Sequence, residues 1–215
     1  MTVRAKICGL NSAAGVDAAV AGGASHVGFV FYPPSPRAID AATAAALAGR
    51  VPADVVTVGL FVNESDERIA AICAAARIDM LQVHGGETPA RVAELKGRFG
   101  RPVMRAIPVA GREDIEAAAS FLDSADWLLF DAKPPKDMRG ALPGGNALSF
   151  DWRLIAGRSW PLPWMLSGGL NAGNLKEAVR MTGAGSVDVS SGVEDRPGVK
   201  NPDKIRAFLA LAKSL

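Results

Sequence analysis

Eight short apolar runs, alternating with alanine-rich stretches of helical periodicity, leave this chain of 215 residues few possible folds. Each run is rich in β-branched or bulky residues, which is typical of parallel strands buried on both faces. Counted between the last residues of successive runs, the steps are 23, 30, 22, 24, 24, 36 and 23 residues, about one strand–helix unit each. The runs are Ala5–Cys8, Val27–Phe31, Val55–Phe61, Met80–Val83, Val103–Ile107, Trp127–Asp131, Trp164–Ser167 and Val187–Ser190.

The stretches between the runs begin and end with residues that favour helix termini. Gly22 and Gly49 predict the ends of the first two helices, and Ser65 predicts the start of the third. Asn201 and Pro202 supply an N-cap and a first-turn proline to the last helix. Eight such strand–helix units predict an α/β fold, a closed (β/α)8 TIM barrel.

A doubly wound open sheet is the alternative to a barrel. Such a sheet more often has about five or six strands and a glycine-rich nucleotide fingerprint after the first. No such fingerprint follows Cys8. We therefore expect the barrel, with residues 1–215 forming one compact domain.

Composition argues against several classes of partner. The net charge is only +2 and the basic residues form no long run, which is not typical of a nucleic-acid binder. Two cysteines and two histidines fit no zinc spacing, so we expect neither a metal nor a cofactor. The sequence shows no secretory signal and no membrane-spanning apolar stretch. It predicts a cytoplasmic protein with reduced thiols, without a membrane partner, as a monomer or a weak homo-oligomer.

Glycine- and serine-rich turns follow the seventh and eighth runs. The active site of a TIM barrel lies at the C-terminal ends of its strands, and phosphate sites recur after strands seven and eight. Exposed backbone N–H groups in such turns bind anions. The alternative is a pair of tight turns that hold no ligand. The predicted phosphate-binding residues are Ser167, Gly168, Gly169, Ser190, Ser191 and Gly192.

Cys8 and Asp131 end the first and sixth runs and are candidates for proton transfer. A thiol at the functional rim can act as a base if its pKa is lowered, although most free cysteines are small buried hydrophobes. A carboxyl group at the end of an apolar strand is costly unless it is paired or protonated, so it can serve as a general acid. A salt bridge to Lys133 or a helix cap is the alternative for Asp131.

Four further polar residues lie where the barrel mouth is predicted. Arg37 follows a rigid proline-rich segment, and its guanidinium could hold a substrate carboxylate through two parallel bonds. The usual alternative is a solvated loop arginine. His84 is predicted to face the substrate, and Gln82 and Asp188 are candidate hydrogen-bond partners for sugar hydroxyls.

These motifs together resemble those of the phosphoribosylanthranilate isomerases. Each stretch is weak alone, but the set occurs in the family's order from Lys6 to Glu194 and is specific. The matching stretches are Lys6–Leu10, Gly28–Phe31, Ser35–Arg37, Gly59–Asn63, Leu81–Gly85, Leu129–Lys133, Phe150–Trp152, Leu166–Leu170 and Val187–Glu194.

The resemblance implies an Amadori rearrangement in tryptophan biosynthesis, from N-(5-phosphoribosyl)anthranilate to 1-(2-carboxyphenylamino)-1-deoxyribulose 5-phosphate. It implies that Asp131 is the general acid at the ribose ring oxygen and Cys8 the general base at C2. It also implies that Arg37 holds the anthranilate carboxylate. Such chemistry uses a neutral acid and a thiolate, so we expect a depressed pKa at Cys8, caused by Lys6 or by nearby N–H donors.

The loop Ala132–Phe150 departs from the family it resembles. Residues 144–147 read Gly-Gly-Asn-Ala, where two glycines followed by Thr-Gly or Asn-Gly are commoner. Long loops in compact domains are often functional, so this departure bears on how the loop closes.

Rival functions are other phosphate-binding barrels. The isomerase of histidine biosynthesis performs a matching rearrangement but uses an aspartate where this chain has Cys8. A ribulose-phosphate epimerase needs a metal held by histidine and aspartate, and an indole-forming lyase is a further possibility. A barrel that binds a phosphorylated metabolite without catalysis is the remaining alternative.

Overall fold

Eight parallel strands close into a barrel in chain order in the computed structural model, which describes residues 2–135, 137–138 and 140–215. The last strand pairs with the first. The predicted TIM barrel is confirmed, and each predicted run forms a strand whose ends differ by two residues at most. The strands are β1 (Arg4–Cys8), β2 (His26–Val30), β3 (Val56–Phe61), β4 (Met80–Val83), β5 (Val103–Val109), β6 (Trp127–Ala132), β7 (Trp164–Leu166) and β8 (Ser186–Val189).

Helices cover the outside of the barrel and begin and end largely where the sequence predicts. Ser65 Oγ accepts the amide hydrogen of Arg68, and Gly22 and Gly49 follow the first two helices. The helices are α1 (Ala13–Ala21), α2 (Ala41–Ala48), α3 (Asp66–Ala75), α4 (Pro89–Phe99), α5 (Arg112–Ala117), α6 (Leu175–Thr182) and α7 (Pro202–Lys213). None of them, within the described ranges, has the length and apolar character needed to cross a membrane.

Apolar side chains fill the centre of the barrel beneath the C-terminal ends of the strands. They are inaccessible or nearly so, and they form a floor for whatever lies above. Because successive strand residues point to opposite faces, the residues two positions after Val58, Met80, Leu129 and Met165 project into the mouth. The floor consists of Val58, Met80, Met104, Ala106, Leu129 and Met165.

A small antiparallel hairpin, which the sequence analysis does not anticipate, follows β8. Its strands are β9 (Glu194–Arg196) and β10 (Val199–Lys200), and Lys200 pairs with Glu194 across them. The hairpin packs against the loop after β2, because a side chain at Gly198 would overlap the carbonyl of Pro36. It therefore adds residues to the rim of the barrel mouth.

Candidate active site

One pocket of about 720 Å³, including the part open to solvent, lies at the C-terminal ends of the strands. All of the predicted site residues line it except Gly192. The strands thus bring together side chains that are far apart in the sequence, and the prediction of a shared mouth agrees with the structure.

Cys8 ends β1 and is 5% exposed, with its side chain against the pocket. Burial raises the pKa of the thiol, and the positive charges of Lys6 and Lys200 only partly oppose this rise. The expected depressed pKa is therefore wrong for the protein by itself. The physical reason is that removing the thiolate from water outweighs the attraction of two nearby cations.

Asp131 lies near the end of β6 and faces the same pocket. Its Oδ1 accepts the amide hydrogen of Ala132 at 2.9 Å. Its Oδ2 is 3.4 Å from His84 Nε2, a pair that fails the geometry of a hydrogen bond. Lys133 instead contacts Asp114 at 2.8 Å, so the alternative of an Asp131–Lys133 salt bridge does not hold.

Two buried polar atoms in the pocket have no hydrogen-bond partner among the described residues. They are His84 Nε2 and Gln82 Oε1. Because an unpaired buried polar atom costs about 1–3 kcal/mol, such atoms are normally satisfied by water or a ligand. Both therefore favour a polar ligand in this pocket.

A buried ion pair lies beneath Cys8. Lys6 is fully buried, and its Nζ is 2.9 Å from Asp188 Oδ1. Burial alone would lower the pKa of Lys6, but the carboxylate of Asp188 and the thiol of Cys8 raise it above its usual value. Gly28 makes room for the side chains of Cys8 and Lys6, since an added β-carbon at Gly28 would lie 3.2 Å from Cys8 Sγ and 3.3 Å from Lys6 Cε. A permanent cation thus lies next to the thiol.

Two of the three serines predicted to bind phosphate already have protein partners for their hydroxyls. Ser167 donates its hydroxyl to Asp188 Oδ2 at 3.1 Å and its amide to Phe130 O at 2.8 Å. Ser190 donates its hydroxyl to Cys8 O at 3.1 Å. Both hydroxyls therefore link neighbouring strands, and phosphate binding by Ser167, Ser190 and Ser191 stays a prediction.

The backbone amides of the two turns remain available as hydrogen-bond donors. Gly168 and Gly169 have φ angles of +87° and +63°, a region that favours glycine. Within the described ranges, the amides of Gly168, Gly169 and Ser191 donate to no protein acceptor. These amides can hold a phosphate group. Gly192 lies outside the pocket, and a side chain there would overlap the carbonyl of Leu170.

Arg37 is 4% exposed and is not a solvated loop residue. Its Nε and Nη2 donate to the two carboxylate oxygens of Glu194, each at 2.8 Å. Nη2 also donates to Gly145 O at 3.1 Å. The two parallel bonds predicted for a substrate carboxylate are thus made to Glu194. Nη1 donates to no acceptor among the described residues and remains for a ligand.

The pocket has an apolar wall that was not predicted from the sequence. The wall follows the ends of β2 and β3, where every second side chain turns inward. That spacing was the available signal. Lys6 stands two residues before Cys8 on the same strand face, which is a similar signal. The wall consists of Val30, Tyr32, Leu60 and Val62.

Residues 142–148, in the loop between β6 and β7, line the pocket. A β-carbon at Gly144 would lie 2.6 Å from both Asp131 Oδ2 and His84 Cε1. Ala147, at the position where the sequence departs from the commoner glycine, has a φ of +57°. The loop therefore approaches the acid–base residues closely, and a non-glycine residue adopts a left-handed conformation within it.

The site combines a thiol, a carboxyl group, an apolar wall and free amides. This combination suits proton transfer on a small anionic ligand that carries an apolar group. Among the residues described, no cluster of three or more His, Cys, Asp or Glu side chains could hold a metal ion.

Comparison with known proteins identifies one enzyme family. The family model for N-(5'-phosphoribosyl)anthranilate (PRA) isomerase matches residues 5–210. The N-(5'-phosphoribosyl)anthranilate isomerase of Paracoccus denitrificans is 57% identical over 212 residues, which cover 99% of this chain and 98% of that one. The phosphoribosyl anthranilate isomerase structure from Thermotoga maritima is 36% identical with a TM-score of 0.88, covering 99% of this chain and 100% of the other.

A further solved isomerase is in complex with reduced 1-(o-carboxyphenylamino)-1-deoxyribulose 5-phosphate. It is 34% identical with a TM-score of 0.83, and the match covers 99% of this chain and 100% of the other. Another neighbour is described as monomers generated from the dimeric Thermotoga maritima enzyme, so association state varies among the solved structures. This chain belongs to the N-(5'-phosphoribosyl)anthranilate isomerase family.

Proposed function

We propose that this chain catalyses the Amadori rearrangement of N-(5-phosphoribosyl)anthranilate to 1-(2-carboxyphenylamino)-1-deoxyribulose 5-phosphate, with Asp131 as general acid and Cys8 as general base. The observation that carries the assignment of roles is that Cys8 and Asp131, on β1 and β6, line the same pocket. A rearrangement of this kind needs a proton donor and a proton acceptor at different substrate atoms, and residues on different strands can reach both.

In the first step Asp131 gives a proton to the ribose ring oxygen. The bond between that oxygen and C1 breaks, and the lone pair of the anthranilate nitrogen forms a C1=N double bond. The product is an open-chain, positively charged Schiff base with a new hydroxyl at C4. His84 Nε2 lies 3.4 Å from Asp131 Oδ2, and we propose that it contacts this carboxyl group while the proton is transferred.

In the second step the Cys8 thiolate takes the proton from C2. The electrons of that C–H bond form a C1=C2 double bond and neutralise the nitrogen, which gives an enolamine. Loss of the proton from the C2 hydroxyl and protonation of C1 then give the ketone. No electron leaves the substrate, so the reaction as proposed needs no redox cofactor.

The raised pKa of Cys8 fits this order of events. In the free protein burial favours the neutral thiol, which gives its proton to the solvent before the sulfur can act as the base. Once the ring opens, the Schiff base brings a positive charge next to the sulfur and stabilises the thiolate. Lys6 and Lys200 supply two further positive charges near Cys8.

The remaining pocket groups are assigned to binding. The amides of Gly168, Gly169 and Ser191, and of Gly192 behind them, are proposed to hold the phosphate. The wall of Val30, Tyr32, Leu60 and Val62 is proposed to pack against the anthranilate ring, whose carboxylate lies at Arg37. Gln82 and His84 are proposed to bind sugar hydroxyls with their unpaired atoms.

We further propose that residues 1–215 act as a single domain in the cytoplasm, as a monomer or a weak homo-oligomer. The mechanism needs Cys8 as a free thiol, which a reducing compartment maintains. Large hydrophobic side chains with substantial exposure are limited, in the described ranges, to Met138 and Val199. Two scattered residues do not form the apolar patch that strong association needs.

The test is to add purified protein to N-(5-phosphoribosyl)anthranilate and follow the loss of its fluorescence. We expect rapid loss, with the deoxyribulose phosphate identified as the product by its chromatographic separation from the substrate, because the two are isomers of equal mass. Loss of fluorescence no faster than in the buffer alone would contradict the proposal. Turnover of the aminoaldose of histidine biosynthesis instead would favour the rival isomerase.

A further inference from the structure

A buried cluster of three charged side chains joins the loop after β2 to the hairpin of β9 and β10. We name Arg37, Glu194 and Lys200 the charge cluster. Their side chains are 4%, 3% and 0% exposed, respectively. Arg37 lines the pocket, whereas Lys200 does not. Only Arg37 and its immediate surroundings can therefore touch a substrate, and Lys200 acts from behind.

The hydrogen bonds of Lys200 use all of its donors. Its Nζ contacts Glu194 Oε1 at 2.8 Å, Ser190 O at 2.8 Å and Ser190 Oγ at 3.1 Å. An ammonium group has three N–H donors and a neutral amine only two, so three acceptors match the charged form. Glu194 in turn accepts from Arg37 with both oxygens.

The formal charges of the cluster decide what it can attract. Arg37 paired with Glu194 alone is a neutral unit, and a neutral unit offers little to an incoming carboxylate. With Lys200 added, two positive groups and one negative group leave a net charge of +1. Because all three side chains are shielded from water, that charge is screened far less than a surface charge would be.

We infer that Lys200 is a positioning residue that leaves the Arg37 site with a net positive charge, and that it thereby sets the preference for a substrate whose aromatic ring carries a carboxylate. This inference rests on the proposed function. Glu194 fixes the guanidinium through its Nε–Nη2 edge and aims the other end at the pocket. Lys200 offsets the charge of Glu194. Glu194 can therefore orient the Arg37 guanidinium while the charge cluster still attracts a substrate carboxylate.

The experiment compares two substrates, N-(5-phosphoribosyl)anthranilate and the corresponding phosphoribosylaniline, which lacks the carboxylate. The variants are Lys200→Gln, Glu194→Gln and the double variant. Lys213→Gln, an exposed lysine at the end of α7, is the matched control for loss of one lysine charge. Thermal unfolding of each variant establishes that it is folded.

Lys200→Gln should raise KM for the carboxylated substrate about tenfold, because the cluster becomes neutral. Its KM for the aniline substrate should stay within about twofold of wild type, while any fall in kcat, caused by the loss of one positive charge near Cys8, should be the same for both substrates. The double variant again has a net charge of +1, so its KM for the carboxylated substrate should return toward the wild-type value. Lys213→Gln should behave as wild type.

An equal rise in KM for both substrates in Lys200→Gln would overturn the inference, since Lys200 would then act on phosphate binding or on the fold as a whole. A double variant worse than Lys200→Gln would do the same, because a purely structural role predicts additive damage. If Lys200→Gln does not fold, adding it to Glu194→Gln must still raise KM for the carboxylated substrate alone. Wild-type protein that turns over neither substrate would refute the proposed function itself.

Discussion

Lys6 and Asp188 form an ion pair inside the barrel, with Nζ and Oδ1 2.9 Å apart and both side chains shielded from water. Cys8 lies one layer above Lys6 on the same strand face, and Gly28 leaves both side chains the space they need. The pair therefore holds a positive charge under the thiol without exposing it to solvent. It also ties β1 to β8, next to the turn that carries the proposed phosphate site.

Lys6→Met should destabilise the protein by about 3–5 kcal/mol, because it leaves the Asp188 carboxylate buried without a partner. Adding Asp188→Asn to Lys6→Met removes that charge and should recover part of the loss. Urea denaturation followed by circular dichroism measures both variants. A loss below about 1 kcal/mol for Lys6→Met would mean that water or another group already solvates Asp188.

The pH dependence of kcat/KM should reflect the raised pKa of Cys8. Only the thiolate can act as the base, so its fraction in the free protein grows as pH rises toward that pKa. We expect kcat/KM to be still increasing between about pH 7 and 9, which lies above the pKa range of activated cysteines. An acidic limb that levels off below about pH 6.5 would contradict this, because it would require a depressed pKa.

Arg37→Ala should raise KM for N-(5-phosphoribosyl)anthranilate about 10- to 100-fold, since it removes a charge-assisted hydrogen bond to the carboxylate. The effect on kcat should be smaller, because the carboxylate takes no part in the proton transfers. Arg50→Ala, which removes an exposed arginine paired with Asp17, is the matched control. An unaltered KM in Arg37→Ala would remove Arg37 from substrate binding.

Gly192→Ala should lower stability by about 1–3 kcal/mol, because the new methyl group overlaps the backbone carbonyl of Leu170, which cannot rotate away. Gly97→Ala is the natural comparison, since Gly97 lies within α4 and has open space around it. That change should stabilise the helix by about 0.5–1 kcal/mol. Equal melting temperatures for the two variants would show that the turns after β7 and β8 are not closely packed.

The barrel could be predicted from the sequence because its signals are local. Continuous apolar runs, the Ser65 cap and the Gly22 terminus each depend on only a few neighbouring residues. The same regularity places Cys8 and Asp131 at the ends of strands, and therefore at the mouth. The hairpin of β9 and β10 escaped prediction because strands of three and two residues leave almost no periodic signal.

The partners of the site residues could not be predicted, because they depend on distance across the barrel. The carboxylate of Glu194 is 157 residues from Arg37 in the chain, yet it takes the two bonds expected for the substrate. The pKa of Cys8 is raised and not lowered, because the effect of burial is larger than the effect of the Lys6 charge. The burial of Cys8 could not be predicted from the local sequence pattern. The hydrogen bond from the Ser167 hydroxyl to Asp188 could not be predicted either, because the two residues meet only in the folded barrel.

The most direct test of the proton-transfer pair is kcat for Cys8→Ser and Asp131→Asn, measured beside the affinity of each variant for the reduced product analogue. We expect kcat to fall about 10²- to 10⁴-fold in both variants, with affinity nearly unchanged. Cys73→Ser, a half-buried cysteine on α3, should keep wild-type turnover. Near-normal kcat in Cys8→Ser or Asp131→Asn would show that the substituted residue does not transfer a proton in this reaction.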